Sequence, residues 1–346
     1  MISKKKRTKI KTKSGFALIA VLLFIAVLSA FILEFNYKSR MKLHLVENFH
    51  LASQALNNAD AGIAAAIAML RQNENIFADE NSQSFLSGMD NIPIEDGFCS
   101  ISIAAESGKF NINTLCTNSG QPNRDKVNQM LRLIDLLNNQ HEDTSPVSYS
   151  LIPAIIDWTD YDDDVTILPF VKGENRGAEN DYYQKLEEKY PCKNAPFDLL
   201  SELMLVKGMT TEIFHGRIEQ EEARIKPVLG INQYLTVYGD GKININEASP
   251  IVIQSLSDNI SFILAQNIVE QRKISRYSSI EQLKQVPGMT TEIFENIREM
   301  ITIKTNDRYY IVTVTGVVKE FERNVQVVLR KKQSTSQIEI LMRSEI

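Results

Sequence analysis

Cysteine is scarce in this chain: Cys99, Cys116 and Cys192 are all that 346 residues contain, too few for a disulfide scaffold and enough for one bridge with an odd thiol left over. Histidine is nearly as rare, and His44, His50, His141 and His215 stand in no zinc-type spacing. There is no Gly-x-Ser-x-Gly elbow and no glycine-rich phosphate loop. These absences point away from zinc hydrolases, serine esterases and nucleotide-driven enzymes, and the chain is expected not to be an enzyme. An anchored hydrolase working through paired Asp residues is the catalytic alternative. Acids are missing from residues 1–15, where Lys4, Lys5, Lys6, Arg7, Lys9, Lys11 and Lys13 stand together. The rest of the chain then holds 31 basic residues against 43 acidic, a charge of −12 that repels nucleic acid.

Charge is also missing from Phe16 to Leu33 (FALIAVLLFIAVLSAFIL), a run long enough to span a bilayer as a helix. The preceding lysines predict a cytoplasmic N-terminus, with the bulk of the protein across the membrane. A cleaved secretory signal and a plain signal anchor are the rival readings; Ser29-Ala30 is only a weak cleavage site. No Pro or Gly interrupts the chain from Phe16 to Ala61. Leu45, Phe49, Ala52, Leu56, Ala59, Ile63, Ala66 and Leu70 recur at spacings of four and three, which predicts that the span continues as one long rod with an apolar stripe.

Gly15-Phe16-Ala-Leu-Ile behind a basic leader resembles a type IV prepilin site, where prepilin peptidase cuts after the glycine and methylates the new N-terminal residue, here Phe16. Most pilins carry Glu at the fifth mature position. This chain has Ala20 there, a departure similar to the general secretion protein K family of minor pseudopilins. A tip subunit has no neighbour above it for that carboxylate to dock, and its loss removes a membrane-buried charge.

Two later stretches repeat. Leu199–Phe214 (LLSELMLVKGMTTEIF) and Ser279–Phe294 (SIEQLKQVPGMTTEIF) share an identical heptapeptide, and each has an upstream partner, Phe110-Asn-Ile-Asn113 and Ile243-Asn-Ile-Asn246. Such self-similarity predicts a duplicated helical unit. Gly208 and Gly288 are expected to end one short helix, with Thr-Thr-Glu capping the next. Asn113 and Asn246 are expected to cap helices as well. Val286-Pro-Gly-Met289 also resembles a helix-hairpin-helix DNA-binding turn, so a DNA-uptake or type IV pilus minor pilin is the alternative function. Glu202, Glu219, Glu221, Glu222, Glu281, Glu295 and Glu299 around the hairpins oppose phosphate binding, and no nucleic-acid partner is expected.

Asp157-Trp-Thr-Asp160-Tyr-Asp162-Asp163-Asp164, followed by Gly177-Ala-Glu179-Asn-Asp181, concentrates carboxylates that need water or a cation between them. A solvated acidic loop and an oxygen-ligand site suited to Ca²⁺ both fit that pattern, which is no EF-hand. Family resemblance implies the second: Asp157, Asp160, Asp162 and Glu179 match its Asp-Trp-x-Asp-x-Asp and Gly-Ala-Glu stretches, and Asp164 and Asp181 join by proximity. Cys99 and Cys116, either side of a turn, are the candidate disulfide in an oxidising compartment.

Strand alternation at Cys99, Ile101 and Ile103, with a late hairpin over Tyr309–Val318 and Phe321–Leu329, completes an α+β expectation. The resemblance implies a leader (1–15), a transmembrane helix (16–34), a pilin-like helix and first strands (35–105) and an inserted helical domain holding the duplicated hairpin (106–305). The last pilin-like antiparallel strands (306–332) and a tail (333–346) follow. It also implies a pseudopilus-tip subunit that initiates fibre assembly in the bacterial inner membrane, with other minor pseudopilins, prepilin peptidase and the membrane as partners.

Overall fold

A computed structural model describes residues 14–72, 89–94, 96–117, 119–139, 146–171, 173–221, 224–304, 307–332 and 337–345. Helix α1 (Ser14–Gln72) is continuous over 59 residues, about 90 Å at 1.5 Å per residue. Its N-terminal part is the one helix among the described residues long and apolar enough to cross a membrane. Among the described residues no side chain covers that part: Phe16 and every large apolar residue from Leu18 to Leu33 are exposed. Residues 1–13 of the expected leader lie outside the described residues, and Gly15 and Phe16 stand in the first helical turn.

The apolar stripe of α1 divides in two. Ala55, Ala59, Ile63, Ala66 and Leu70 are buried, while Leu45 and Phe49, on the same expected stripe, are 68% and 76% exposed. The difference is geometric: the rod outruns the sheet, so only its C-terminal turns find a surface to cover.

That surface is an antiparallel sheet. Its first strands are β1 (Met89–Ile94) and β2 (Gly97–Ala105). The insertion contributes only short strands: β3 (Phe110–Asn111), β4 (Gly216–Glu221), β5 (Arg224–Leu229), β6 (Leu235–Thr236), β7 (Ile243–Asn244) and β8 (Ile301–Thr302). The chain returns with β9 (Asp307–Val318), β10 (Phe321–Lys332) and β11 (Ile338–Glu345), giving the order β1-β2-β9-β10-β11. Register places Ile101 and Val325 beside Val314, and Ile103 and Val327 beside Val312. With Tyr310 and Leu329 these side chains line the face that α1 covers. Helix and sheet approach closely at Gly316, where a Cβ would collide with the Ala55 carbonyl and the Ala59 amide of α1. β11 corrects the expectation of a tail after Lys332: Ile338 is buried and the strand pairs along β10 from Lys331 to Val325. Cys99 is buried in this sheet core and Cys116 packs on the other core, so the expected bridge does not form; all three cysteines are free thiols.

The second core runs from Phe110 to Ile301 and is built from two like units. In the first, β3 pairs in parallel with β6; in the second, β7 pairs in parallel with β8. The hairpins match closely. A 3₁₀ turn, Leu200–Leu205 or Ile280–Gln285, closes on a left-handed glycine, Gly208 at φ +86° or Gly288 at φ +93°. Thr210 and Thr290 then accept from the amides of Ile213 and Ile293, capping the helices Thr211–His215 and Thr291–Ile297.

Asn113 and Asn246 depart from the capping role. Asn111 and Asn244 make the local turns, accepting from the amides of Asn113 and Asn246. The side chain of Asn113 instead reaches Phe197, accepting from its amide at 2.8 Å and donating to its carbonyl at 3.0 Å. Asn246 does the same to Tyr277, at 3.0 and 2.9 Å. Each is a clamp that sews the start of its unit to the residues just before its hairpin.

The insertion leaves the sheet at Ala105 and rejoins it at Asp307, so both crossings fall at one end of the sheet. Glu247, its side chain 6% exposed, accepts from Ser107 Oγ and faces Arg276 at 3.9 Å; Tyr238 stacks on Tyr309 at 5.2 Å. Lys331, beside Arg308 across the ladder, donates from Nζ to the Leu70 carbonyl at the end of α1. The helical domain therefore sits at the end of the rod opposite the apolar span.

Candidate metal centre

Helix Leu151–Thr159 is buried along its whole length in the first unit, which carries Asp157 inward and leaves Asp160 at its C-terminal cap. The chain then makes an excursion over residues 160–196 before reaching Phe197. Glu179 stands at the cap of the short turn Asn180–Tyr183 and returns to the end of the buried helix. One carboxylate oxygen from each of Asp157, Asp160 and Glu179 lies within 4.8 Å of the others. Their side chains are 0%, 2% and 3% exposed.

The trio is short of donors. Asp157 Oδ1 accepts from the Thr166 amide at 2.9 Å, but Asp157 Oδ2, Asp160 Oδ1 and both oxygens of Glu179 are buried without a hydrogen-bond partner. Three such carboxylates cannot all stay ionised in that space without a cation. Burial first, then mutual repulsion, pushes Asp160 up to about 7 and Glu179 up to about 8. Burial also raises Asp157, to about 6, and the amides of Thr166 and Ala178 hold it below the other two. Gly177 is required by the close packing: a Cβ there would strike Asp157 Oδ2 and the Pro153 carbonyl.

The other expected ligands fall elsewhere. Asp162 is exposed, its Oδ1 accepting from the Asp164 amide, and its charge reaches the trio from outside. Asp164 and Asp181 are exposed and stand outside the group. Asn194 was not anticipated. In a left-handed conformation (φ +46°) it donates to the Asp162 carbonyl at 2.9 Å and to Asp163 Oδ1, holding the acidic turn from thirty residues downstream. A lone Asn offers no sequence pattern that would have marked it.

An oxygen-only, buried and under-hydrogen-bonded trio fits a hard divalent cation, Ca²⁺ above all. Soft-metal chemistry does not fit, since no His or Cys ligand joins the described group. The second hairpin offers little to phosphate: Lys284 and Arg298 are both paired with Glu295, and Arg298 also with Glu299.

Two family models match the chain. "Type II secretion system (T2SS), protein K" covers residues 108–216, which include the first unit's hairpin and the carboxylate trio. "Helix-hairpin-helix motif" covers residues 239–302, the second unit. The type II secretion system protein K of Pseudomonas aeruginosa is 26% identical over 268 residues, spanning 75% of this chain and 72% of that one. Among solved structures, the GspK-GspI-GspJ complex from the enterotoxigenic Escherichia coli type 2 secretion system matches in fold with a TM-score of 0.64 at 17% identity. It covers 87% of this chain and 99% of its own. By its N-terminal apolar rod, its sheet with a duplicated helical insertion and these matches, the chain is similar to the type II secretion system protein K family of minor pseudopilins, in sequence over residues 108–216 and in fold over most of its length.

Proposed function

We propose that this minor pseudopilin caps the periplasmic tip of the pseudopilus and helps to start its assembly, anchored in the inner membrane through α1 and processed at Gly15–Phe16 by prepilin peptidase. The observation that carries the reading is the position of the helical domain. Entering and leaving the sheet beside Leu70, it occupies the end of the rod where the next subunit of a fibre would stack. Leu45 and Phe49, exposed below the sheet, supply the apolar contacts for neighbouring rods. The complex named for the Escherichia coli relative makes other minor pseudopilins the natural partners. The role is structural rather than catalytic, in keeping with the secretion-protein relatives. Immunogold labelling of an epitope in the helical domain on isolated fibres tests the cap: label at one end supports it, and label along the shaft overturns it.

The same domain would hold Ca²⁺ on Asp157, Asp160 and Glu179, with water or main-chain oxygens completing the shell. The orphaned buried carboxylate oxygens support this. Calorimetric titration of the detergent-solubilised full chain with CaCl₂ tests it. Heat that saturates at one or more sites is expected, and a flat titration up to millimolar Ca²⁺ would remove the metal.

A further inference from the structure

The two units solve one packing problem in different ways. In the second, helix Phe262–Ile274 is followed by Ser275 and Arg276 and then directly by Tyr277, held by the Asn246 clamp. Local hydrogen bonds finish the job: Arg272 donates to the carbonyls of Ile245 and Ala248, and Asn267 to the Pro287 carbonyl inside the hairpin. Its stability rests on groups within the unit and on the joint with the sheet.

In the first unit, residues 160–196 separate the buried helix from Phe197, and this excursion carries the hairpin's supports. Tyr183 Oη accepts from the Lys207 amide next to Gly208, and Tyr190 Oη donates to the Leu205 carbonyl at 2.8 Å. Lys193 pairs with Glu202, the residue whose side chain caps the 3₁₀ turn, and Glu174 pairs with Lys207. Trp158, Tyr183, Tyr190 and Phe197 pack ring against ring between helix and hairpin, with centroids 5.2 to 6.4 Å apart. What returns the excursion to the buried helix is Glu179, four residues before Tyr183, facing Asp157 and Asp160. Without a cation that junction sets carboxylates against one another; with one it becomes the staple of the loop that props the hairpin.

We propose that a divalent cation bound by Asp157, Asp160 and Glu179 latches the first hairpin unit alone, and that the second unit holds its hairpin without metal. This rests on the Ca²⁺ reading above. The chain then carries one metal-conditional and one metal-independent copy of the same duplicated hairpin, and the condition lies on the excursion that the second copy lacks.

Hydrogen exchange read by mass spectrometry on the full chain in detergent, in CaCl₂ and in EGTA, tests the latch beside the calorimetric titration. Free Ca²⁺ at ~100 times its dissociation constant is expected to slow exchange about a hundredfold in peptides from 151–216. Peptides from 243–302 should change less than about twofold, within the spread of independent local openings. Trp158, the sole tryptophan, should change its fluorescence in step with the first set. Glu179→Gln should abolish the Ca²⁺ response of the first set and leave the second unaltered, and the chelator arm requires no variant to fold. Heat of binding with equal slowing in both units, or with none in the first, overturns the latch while the metal site stands. No heat and no exchange response overturns the metal reading and the latch with it.

Discussion

Replacing Asn246 by Ala isolates the clamp. The side chain is 8% exposed and makes both of its long-range bonds to one residue, accepting from the Tyr277 amide at 3.0 Å and donating to the Tyr277 carbonyl at 2.9 Å. Tyr277 is itself buried, so water does not replace either partner. Each stranded buried backbone group costs about 1–3 kcal/mol, which puts Asn246→Ala, with two such groups, at about 2–6 kcal/mol. For a helical region of this size that is a fall in Tm of roughly 5–15 °C. Thermal unfolding of the detergent-solubilised chain, followed by far-ultraviolet circular dichroism, measures it. Asn259→Ala, at an exposed position after helix Pro250–Ser255, serves as the control and should be within about 0.5 kcal/mol of the parent. An Asn246→Ala chain as stable as that control would refute the clamp and, with it, the equivalence of Asn113 and Asn246.

Other outcomes follow from the carboxylate trio and the glycines. In EGTA the raised acids penalise the folded state as they are forced to ionise. The penalty is absent below their unfolded values near 4, and grows as pH rises toward the folded values of about 6 to 8. Tm in EGTA should therefore fall between pH 5 and 8, and CaCl₂ should suppress the fall; a flat profile in EGTA would contradict the burial of the trio. Ca²⁺ uptake at pH 6 to 7 should expel protons, seen as a binding heat that changes with the ionisation enthalpy of the buffer. Gly177→Ala, forced against Asp157 Oδ2 and the Pro153 carbonyl, should weaken Ca²⁺ binding and cost about 1–3 kcal/mol in a chemical denaturation series. Gly316→Val should lift α1 from the sheet and lower the Tm, with little change in Ca²⁺ affinity, because the trio lies in the other core.

What could be read in the residues was what local chemistry decides. An uncharged run of helical length, an identical heptapeptide with glycine at a left-handed position, and strands alternating at Ile101 and Ile103 carry their structure with them. The misread parts depend on distant partners. Asn113 and Asn246 have the residue type of a cap, but their partners are Phe197 and Tyr277, and nothing in the neighbouring residues shows that. Leu45 and Phe49 share the stripe of Ala59 and Ile63, yet burial depends on where the sheet ends. Cys99 and Cys116 are close in sequence and face different cores. β11 gives little sequence signal because an edge strand bearing Glu339, Arg343 and Glu345 reads as polar. Asp164 and Asp181 stand near the trio in sequence, whereas inward direction is set by the buried helix and by the turn at Glu179.

The N-terminus of the mature protein tests the central claim most directly. Mass spectrometry of the native chain should find it beginning at N-methylated Phe16 in cells that possess prepilin peptidase, and beginning at Met1 in cells that lack it. A chain that keeps its leader in both, or is cut near Ala30 instead, would contradict the proposed role as a processed pseudopilus subunit.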